Sequence, residues 1–190
     1  MSKIKLGYAV CGSFCTFSKA LKEIEELTKI GYDVCPIFSE FAFKTDTRFY
    51  NASDYVAQVE NICNKKAIAT ISDAEPIGPK KMFDAMIIAP CTGNTLSKLA
   101  LGITDSSVTM ASKAHLRNEK PLIIGVSSND ALSATSKNIG ILLSRKNIYM
   151  VPFGQDDSKN KPRSMVCDFD LIPETVEMAL NNQQIQPLVI

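Results

Sequence analysis

Three short runs of small polar residues each follow an apolar stretch and precede a helical pattern. The first is Gly12-Ser13-Phe14. A strand-to-helix turn leaves backbone amides free, and the helix dipole favours an anion there. A serine hydroxyl at the same turn suits a phosphate, and it equally suits a plain N-cap. The second run is Ala89-Pro90-Cys91-Thr92-Gly93-Asn94-Thr95. Pro90 is expected to end strand pairing there. Thr92, Asn94 and Thr95 offer more donors than capping needs, enough for a phosphate or the polar edge of a ring. Cys91, read as a helix N-terminal residue, would have its thiolate stabilised. The third run, Ser127-Ser128-Asn129-Asp130, reads by itself as a loop and cap. Two sharper motifs fail. Gly7 and Gly12 stand too far apart for a dinucleotide fingerprint, and Ser13-Phe14 replaces the lysine and hydroxyl of a Walker A loop.

Other groups have simpler readings. Glu75 and Asp105 are candidate acid–base groups, with Asp105 more simply a cap for the following helix. Lys80 and Lys81 are a surface pair. His115 shares a helix face with Val108 and Ala111, which suits a half-buried packing role.

These runs need strands behind them. Residues 4–10 form an apolar strand. Phe17, Leu21, Ile24 and Leu27 recur on one helix face, and Gly31 fits the left-handed position past its end. Residues 33–38 give a second strand. Residues 51–64 read as a helix with Ser53 as cap, 67–72 as a weak extended piece and 73–79 as a loop. Strands at 85–89, 122–126 and 148–153 alternate with helices at 95–101, 106–118 and 130–145. Residues 154–164 turn polar and read as an exposed loop, followed by a helix near 173–182 and an extended tail. Alternation of this kind predicts an α/β protein with a three-layer, open parallel sheet of the Rossmann-like or flavodoxin-like kind. Ligands then sit at the carboxyl ends of the strands, where all three polar runs lie.

Composition narrows the chemistry. The 190 residues suit one domain, and 45% hydrophobic with 22% charged residues suits a globular core. A net charge of +1 is far from that of a broadly basic nucleic-acid binder. One histidine leaves no multi-histidine metal site. The six cysteines form no CxxC pair and no secreted-type framework, which fits a reducing, cytoplasmic setting. The N-terminal apolar stretch carries no signal-type cleavage site, and no run is long enough to span a bilayer.

Residues 89–106, APCTGNTLSKLALGITDS, resemble the signature of the homo-oligomeric flavin-containing cysteine decarboxylases and their flavoprotein relatives. That signature is a Pro-x-Ser/Thr-x-Asn-Thr loop, a short helix, then Gly-Ile-x-Asp. Pro90, Thr92, Asn94, Thr95, Gly102, Ile103 and Asp105 fall in register. Gly12 and Ser13 match the family's first loop, and Ser39, followed by Ala42, matches a serine past the second strand. The resemblance covers about residues 3–153, taken as a flavoprotein-like domain 1–153 with a C-terminal extension 154–190 packed on it. It implies FMN across the carboxyl edge of the sheet. Gly12, Ser13 and Phe14, with Ser39, would face the phosphate and ribityl chain. Pro90, Cys91, Thr92, Asn94 and Thr95 would meet the ring or chain, and Ser127 and Asn129 the ring or substrate.

Departures matter too. Pro76, next to Glu75, stands where the decarboxylases carry a histidine. Their Pro-x-Met-Asn clamp survives only as Asn129, and the arginine that flavin prenyltransferases have in this loop is absent. The segments VPFGQDD, KPRSMVCDF and QQIQP resemble one branch of the family, the flavoprotein-like component of a two-component bacterial oxidoreductase. That branch implies an NADP-binding, dehydrogenase-like second component as partner and a small dihydropyridine dicarboxylate as substrate. It also implies action in the mother cell of a sporulating bacterium, and a homo-oligomer, a trimer or a multiple of one. A stand-alone FMN-dependent decarboxylase or prenyltransferase, and a structural component without flavin, stay open as alternatives.

Overall fold

A computed structural model describes residues 3–190. The described residues hold seven strands: β1 (Lys5–Val10), β2 (Asp33–Phe38), β3 (Ala85–Cys91), β4 (Leu122–Ser128), β5 (Ile148–Met150), β6 (Phe153–Gly154) and β7 (Met165–Cys167). The helices are α1 (Phe17–Ile30), α2 (Glu40–Lys44), α3 (Ala52–Cys63), α4 (Ile71–Ala74), α5 (Gly93–Leu101), α6 (Ser107–Leu116), α7 (Ser136–Leu143) and α8 (Ile172–Leu180).

Strands β2, β1, β3, β4 and β5 pair in that order, all parallel. Every residue of β3 and of β4 is buried, as a parallel sheet covered on both faces requires. Helices α1 and α8 touch each other and β3, while α6 packs on β3 and β4, with α5 and α7 in mutual contact. On α1, Phe17, Ala20, Ile24 and Leu27 face the core, and Gly31 closes the helix at φ 109°. Only glycine takes that backbone without strain. Glu23 shares the buried face of α1 at 2% exposure and stands beside Asp170, which precedes α8.

The sheet is mixed rather than wholly parallel. Strand β4 gives Leu122–Ile124 to β5 and Ser127–Ser128 to β7, which runs antiparallel to it. The segment expected as one strand over 148–153 therefore divides into β5 and β6. Residues 67–79, expected as an extended piece and a loop, form α4 and a short 3-10 turn at Glu75–Ile77, with only an isolated bridge from Ile68 to Ile37. Asn51, not Ser53, caps α3. Ser106 caps α6 through a reciprocal box with Thr109, so Asp105 is free to pair with Lys98 at 2.8 Å. Pro90 does not end β3: the register shifts between Ile88 and Cys91, and Cys91 rejoins the ladder opposite Val126. The helix expected over 130–145 begins only at Ser136, because Asp130 holds the preceding residues in turns.

Candidate functional site

The strand order reverses between β1 and β3, since β2 lies to one side of β1 and β4 to the far side of β3. Loops diverge from that point and open a crevice at the carboxyl edge. Here it is a cleft of two lobes. The lobe on the β2 side has a volume of ≈ 640 Å³ and the other ≈ 790 Å³, both within the usual range for ligand sites. Gly12, Thr92 and Asn94 line both.

Ser13 is not a capping serine: its side chain caps nothing. Its hydroxyl meets that of Ser127 at 2.8 Å and so ties the β1 loop to the end of β4. The amides of Phe14 and Cys15 stand in a first helical turn, where no earlier carbonyl of the helix reaches them. Ser39 lies in the first lobe, across Gly12 from Ser13, and accepts from the amide of Ala42 as cap of α2. Thr92 caps α5 through the amide of Thr95. The Thr95 hydroxyl reaches the Cys11 sulfur at 3.4 Å. Asn94 and Asn129 are exposed in the cleft lining. Ser127 is 4% exposed.

Pro90 and Cys91 do not line either lobe. They are buried in β3, behind the loop. The expected thiolate at Cys91 is corrected accordingly: burial raises that thiol well above its ordinary range. Burial also pushes the Cys11 thiol up to about 11. Both sulfurs at the root of the cleft are neutral. His115 lies away from the cleft on α6, fully buried rather than half-buried, with Nε2 3.0 Å from the Pro121 carbonyl. Burial holds its pKa down.

Close packing fixes the far wall. A Cβ on Gly93 would lie 2.7 Å from Asp130 Oδ1, 2.7 Å from Ser128 Oγ and 2.8 Å from Thr135 Oγ1. Glycine at the first position of α5 lets that polar knot sit against the helix end. Asp130 accepts from the Thr135 hydroxyl at 2.9 Å and from the Ser128 hydroxyl at 2.5 Å.

Four cations reach the cleft that local spacing did not reveal. Lys44 and Lys98 line the first lobe, Arg48 and Lys161 the second. Lys98 is paired with Asp105, and that bond holds the Asp105 carboxyl low. Lys161 is paired with Asp156 at 3.2 Å. Burial works against the Asp156 charge, but the Ser164 hydroxyl and Lys161 outweigh it and hold that carboxyl below its ordinary range. The loop 154–164 is largely exposed, as expected, and it also forms a wall of the cleft through Asp156, Lys161 and Ser164. Three aromatic rings complete the lining: Phe14, Phe41 at 62% exposure, and Phe49.

The family model described as Flavoprotein matches residues 1–179. The chain belongs to the flavoprotein family. Among flavoproteins it is 45% identical over its whole length to the B subunit of dipicolinate synthase from Bacillus subtilis (strain 168), covering 96% of that protein. The crystal structure of the B subunit of dipicolinate synthase from Bacillus halodurans superposes with a TM-score of 0.90 at 42% identity, covering 100% of this chain and 98% of that one. The structure of the FMN-dependent cysteine decarboxylase SpaF shares the flavoprotein fold at a TM-score of 0.66 and 21% identity, covering 94% and 96% of the two chains.

Proposed function

We propose that the chain is the B subunit of a dipicolinate synthase. In this reading it holds FMN in the two-lobed cleft and works with the enzyme's other component, an NADP-binding A subunit, to oxidise dihydrodipicolinate to dipicolinate during sporulation. The full-length likeness to the Bacillus subtilis protein carries the reading, because it includes the 154–164 loop that walls the second lobe.

The donor set suits FMN. Free amides at residues 14–15 and the hydroxyls of Ser13 and Ser39 suit a phosphate and a polyol chain. Lys44 adds a cation in the first lobe. Thr92, Thr95 and the Asn94 amide suit the polar edge of a ring, and Phe14 and Phe41 offer apolar faces to its body. Pro90 and Cys91 act from behind, by fixing where that loop leaves β3. Bound FMN supplies a hydride acceptor whose electronics the surrounding hydrogen bonds tune. Ser127 and Asn129 face the substrate side, in the lobe that Lys161 and Arg48 also line. The substrate loses two hydrogens, one as hydride and one as a proton, and its ring becomes aromatic. Assembly as a homo-oligomer, a trimer or a multiple of one, completes the picture. No helix among the described residues is long and apolar enough to cross a membrane. In the proposed reading, the reaction belongs to the mother cell of a sporulating bacterium.

The test is purification of the chain followed by absorbance and flavin titration, then turnover of dihydrodipicolinate by this chain, by the NADP-binding partner and by the pair. Flavin should bind at micromolar concentration and turnover should need both chains. Failure to bind flavin overturns the cofactor assignment. Equal turnover by the partner without this chain overturns a catalytic share for this chain.

A further inference from the structure

The second lobe carries two cations delivered by two separate segments, and hydrogen bonds close the backbone of each segment. Arg48 stands in a closed turn: the Thr47 amide donates to the Tyr50 carbonyl at 2.9 Å, and Thr47 Oγ1 accepts from the amides of Phe49 and Tyr50. Asp46 anchors the same turn by accepting from the Ala52 amide at 2.8 Å. The Arg48 guanidinium lies 4.8 Å from the centroid of the Phe49 ring and forms no ion pair among the described residues. Lys161 stands in a second closed loop. Its amide donates to the Asp157 carbonyl at 2.8 Å, and its carbonyl accepts from the Ser164 amide at 3.0 Å. Gln155 Nε2 donates to the Pro162 carbonyl, and the Leu132 amide donates to the Arg163 carbonyl. That last bond fastens the loop to the segment after β4. Asp156 engages one direction of the Lys161 ammonium at 3.2 Å; an ammonium has three donors. The other acid in this lobe, Asp130, is already met by Ser128 and Thr135.

We propose that Arg48 and Lys161 form a carboxylate clamp, so that the second lobe selects a flat ring bearing two carboxylates over one bearing a single carboxylate. Arg48 offers a planar fork matched to a carboxylate, and Lys161 offers a point charge aimed by Asp156. The Phe49 ring gives the ring an apolar wall, and Ser127 and Asn129 supply neutral polar contacts. The clamp presupposes the dipicolinate synthase reading, and the C-terminal extension becomes a determinant of specificity.

The test uses the complex of this chain with its NADP-binding partner, loaded with FMN. KM for dihydrodipicolinate is measured, with inhibition by pyridine-2,6-dicarboxylate and by pyridine-2-carboxylate, for wild type, Arg48→Gln and Lys161→Gln. Each variant should raise KM and weaken dicarboxylate inhibition by about tenfold, or about 1.4 kcal/mol. Monocarboxylate inhibition should move less, and flavin affinity should stay within about twofold, well short of that tenfold step. Arg48→Lys and Lys161→Arg keep the charge and should give intermediate values, which also serves if a glutamine variant fails to fold. Lys29→Gln, a surface cation paired with Glu25, should change nothing. An active wild-type complex whose variants keep wild-type KM and dicarboxylate preference overturns the clamp and leaves the broader reading standing. A wild-type complex with no turnover overturns both.

Discussion

Replacing Glu23 by glutamine removes a carboxylate that the fold holds out of water. Glu23 is 2% exposed on α1, and burial, reinforced by the charge of the neighbouring Asp170, raises its pKa from 4.5 to about 7. The folded chain therefore keeps a proton that the unfolded chain gives up. Below about pH 4.5 both states are protonated and the group contributes no penalty. As pH rises through the window from 4.5 to about 7, the unfolded state ionises first and stability falls. At about 1.4 kcal/mol per pH unit, the full penalty approaches ~3 kcal/mol above the window.

Glutamine keeps the shape and cannot ionise. The expected result is that Glu23→Gln gains on wild type as pH rises from 5 to 8, by about 2–3 kcal/mol at the upper end. For a chain of this size that is roughly 4–12 °C in Tm. Thermal melts of both proteins across that range, read as the difference between them at each pH, make the measurement. The difference cancels the titrating groups that do not interact with Glu23. His115, buried with a depressed pKa, adds a trend of opposite sign below its ordinary value of 6.5 in both proteins alike. The carboxyl of Asp170, held low chiefly by Lys22, titrates on the acid side of 3.8, below the range measured. Two melting curves that run parallel from pH 5 to 8 would refute a buried, proton-holding Glu23.

Gly93→Ala should cost about 1–3 kcal/mol in a denaturant titration, because the new methyl meets Asp130, Ser128 and Thr135 at 2.7–2.8 Å; unchanged stability would mean the knot is loose. Ser127→Ala removes the 2.8 Å bridge to Ser13, and flavin titration should register up to about tenfold weaker binding. Thiol labelling of the native protein should modify Cys15, the exposed cysteine, ahead of the five buried ones; fast labelling of Cys91 would contradict its raised pKa.

Where the signal was local, the sequence was readable. The α1 stripe of Phe17, Ile24 and Leu27 and the stop at Gly31 need only helical period and a left-handed residue, and both stand as expected. The apolar runs of β2 and β3 need no partner to be recognised. What failed depends on choices between near neighbours. Asp105 and Ser106 both make good caps, and the reciprocal box of Ser106 with Thr109 decides for Ser106, leaving Asp105 to Lys98. Asn51 and Ser53 compete in the same way, and the Asn51 side chain reaches two amides. Pro90 breaks a ladder in general, yet a register shift lets Cys91 rejoin β4. The loops of the site were legible as polar runs after strands. The cations were not, because Arg48 and Lys161 lie 113 positions apart in sequence and only the fold brings both to one lobe.

The direction of β7 explains how Lys161 arrives there. Strand β5 stays beside β4 only as far as Met150, opposite Ile124, which leaves the upper edge of β4 unpaired. Strand β7 takes that edge in the antiparallel sense, with Met165 opposite Ser128 and Val166 opposite Ser127. Because β7 starts at the carboxyl end of β4, the segment leading into it must lie at that end too. A parallel strand on the same edge would have brought its preceding loop to the amino end, away from every ligand loop. Antiparallel pairing thus satisfies the open edge of β4 and places the 154–164 loop over Ser127 in one step. The segment that caps the sheet edge is therefore the same segment that supplies Lys161, Asp156 and Ser164 to the cleft.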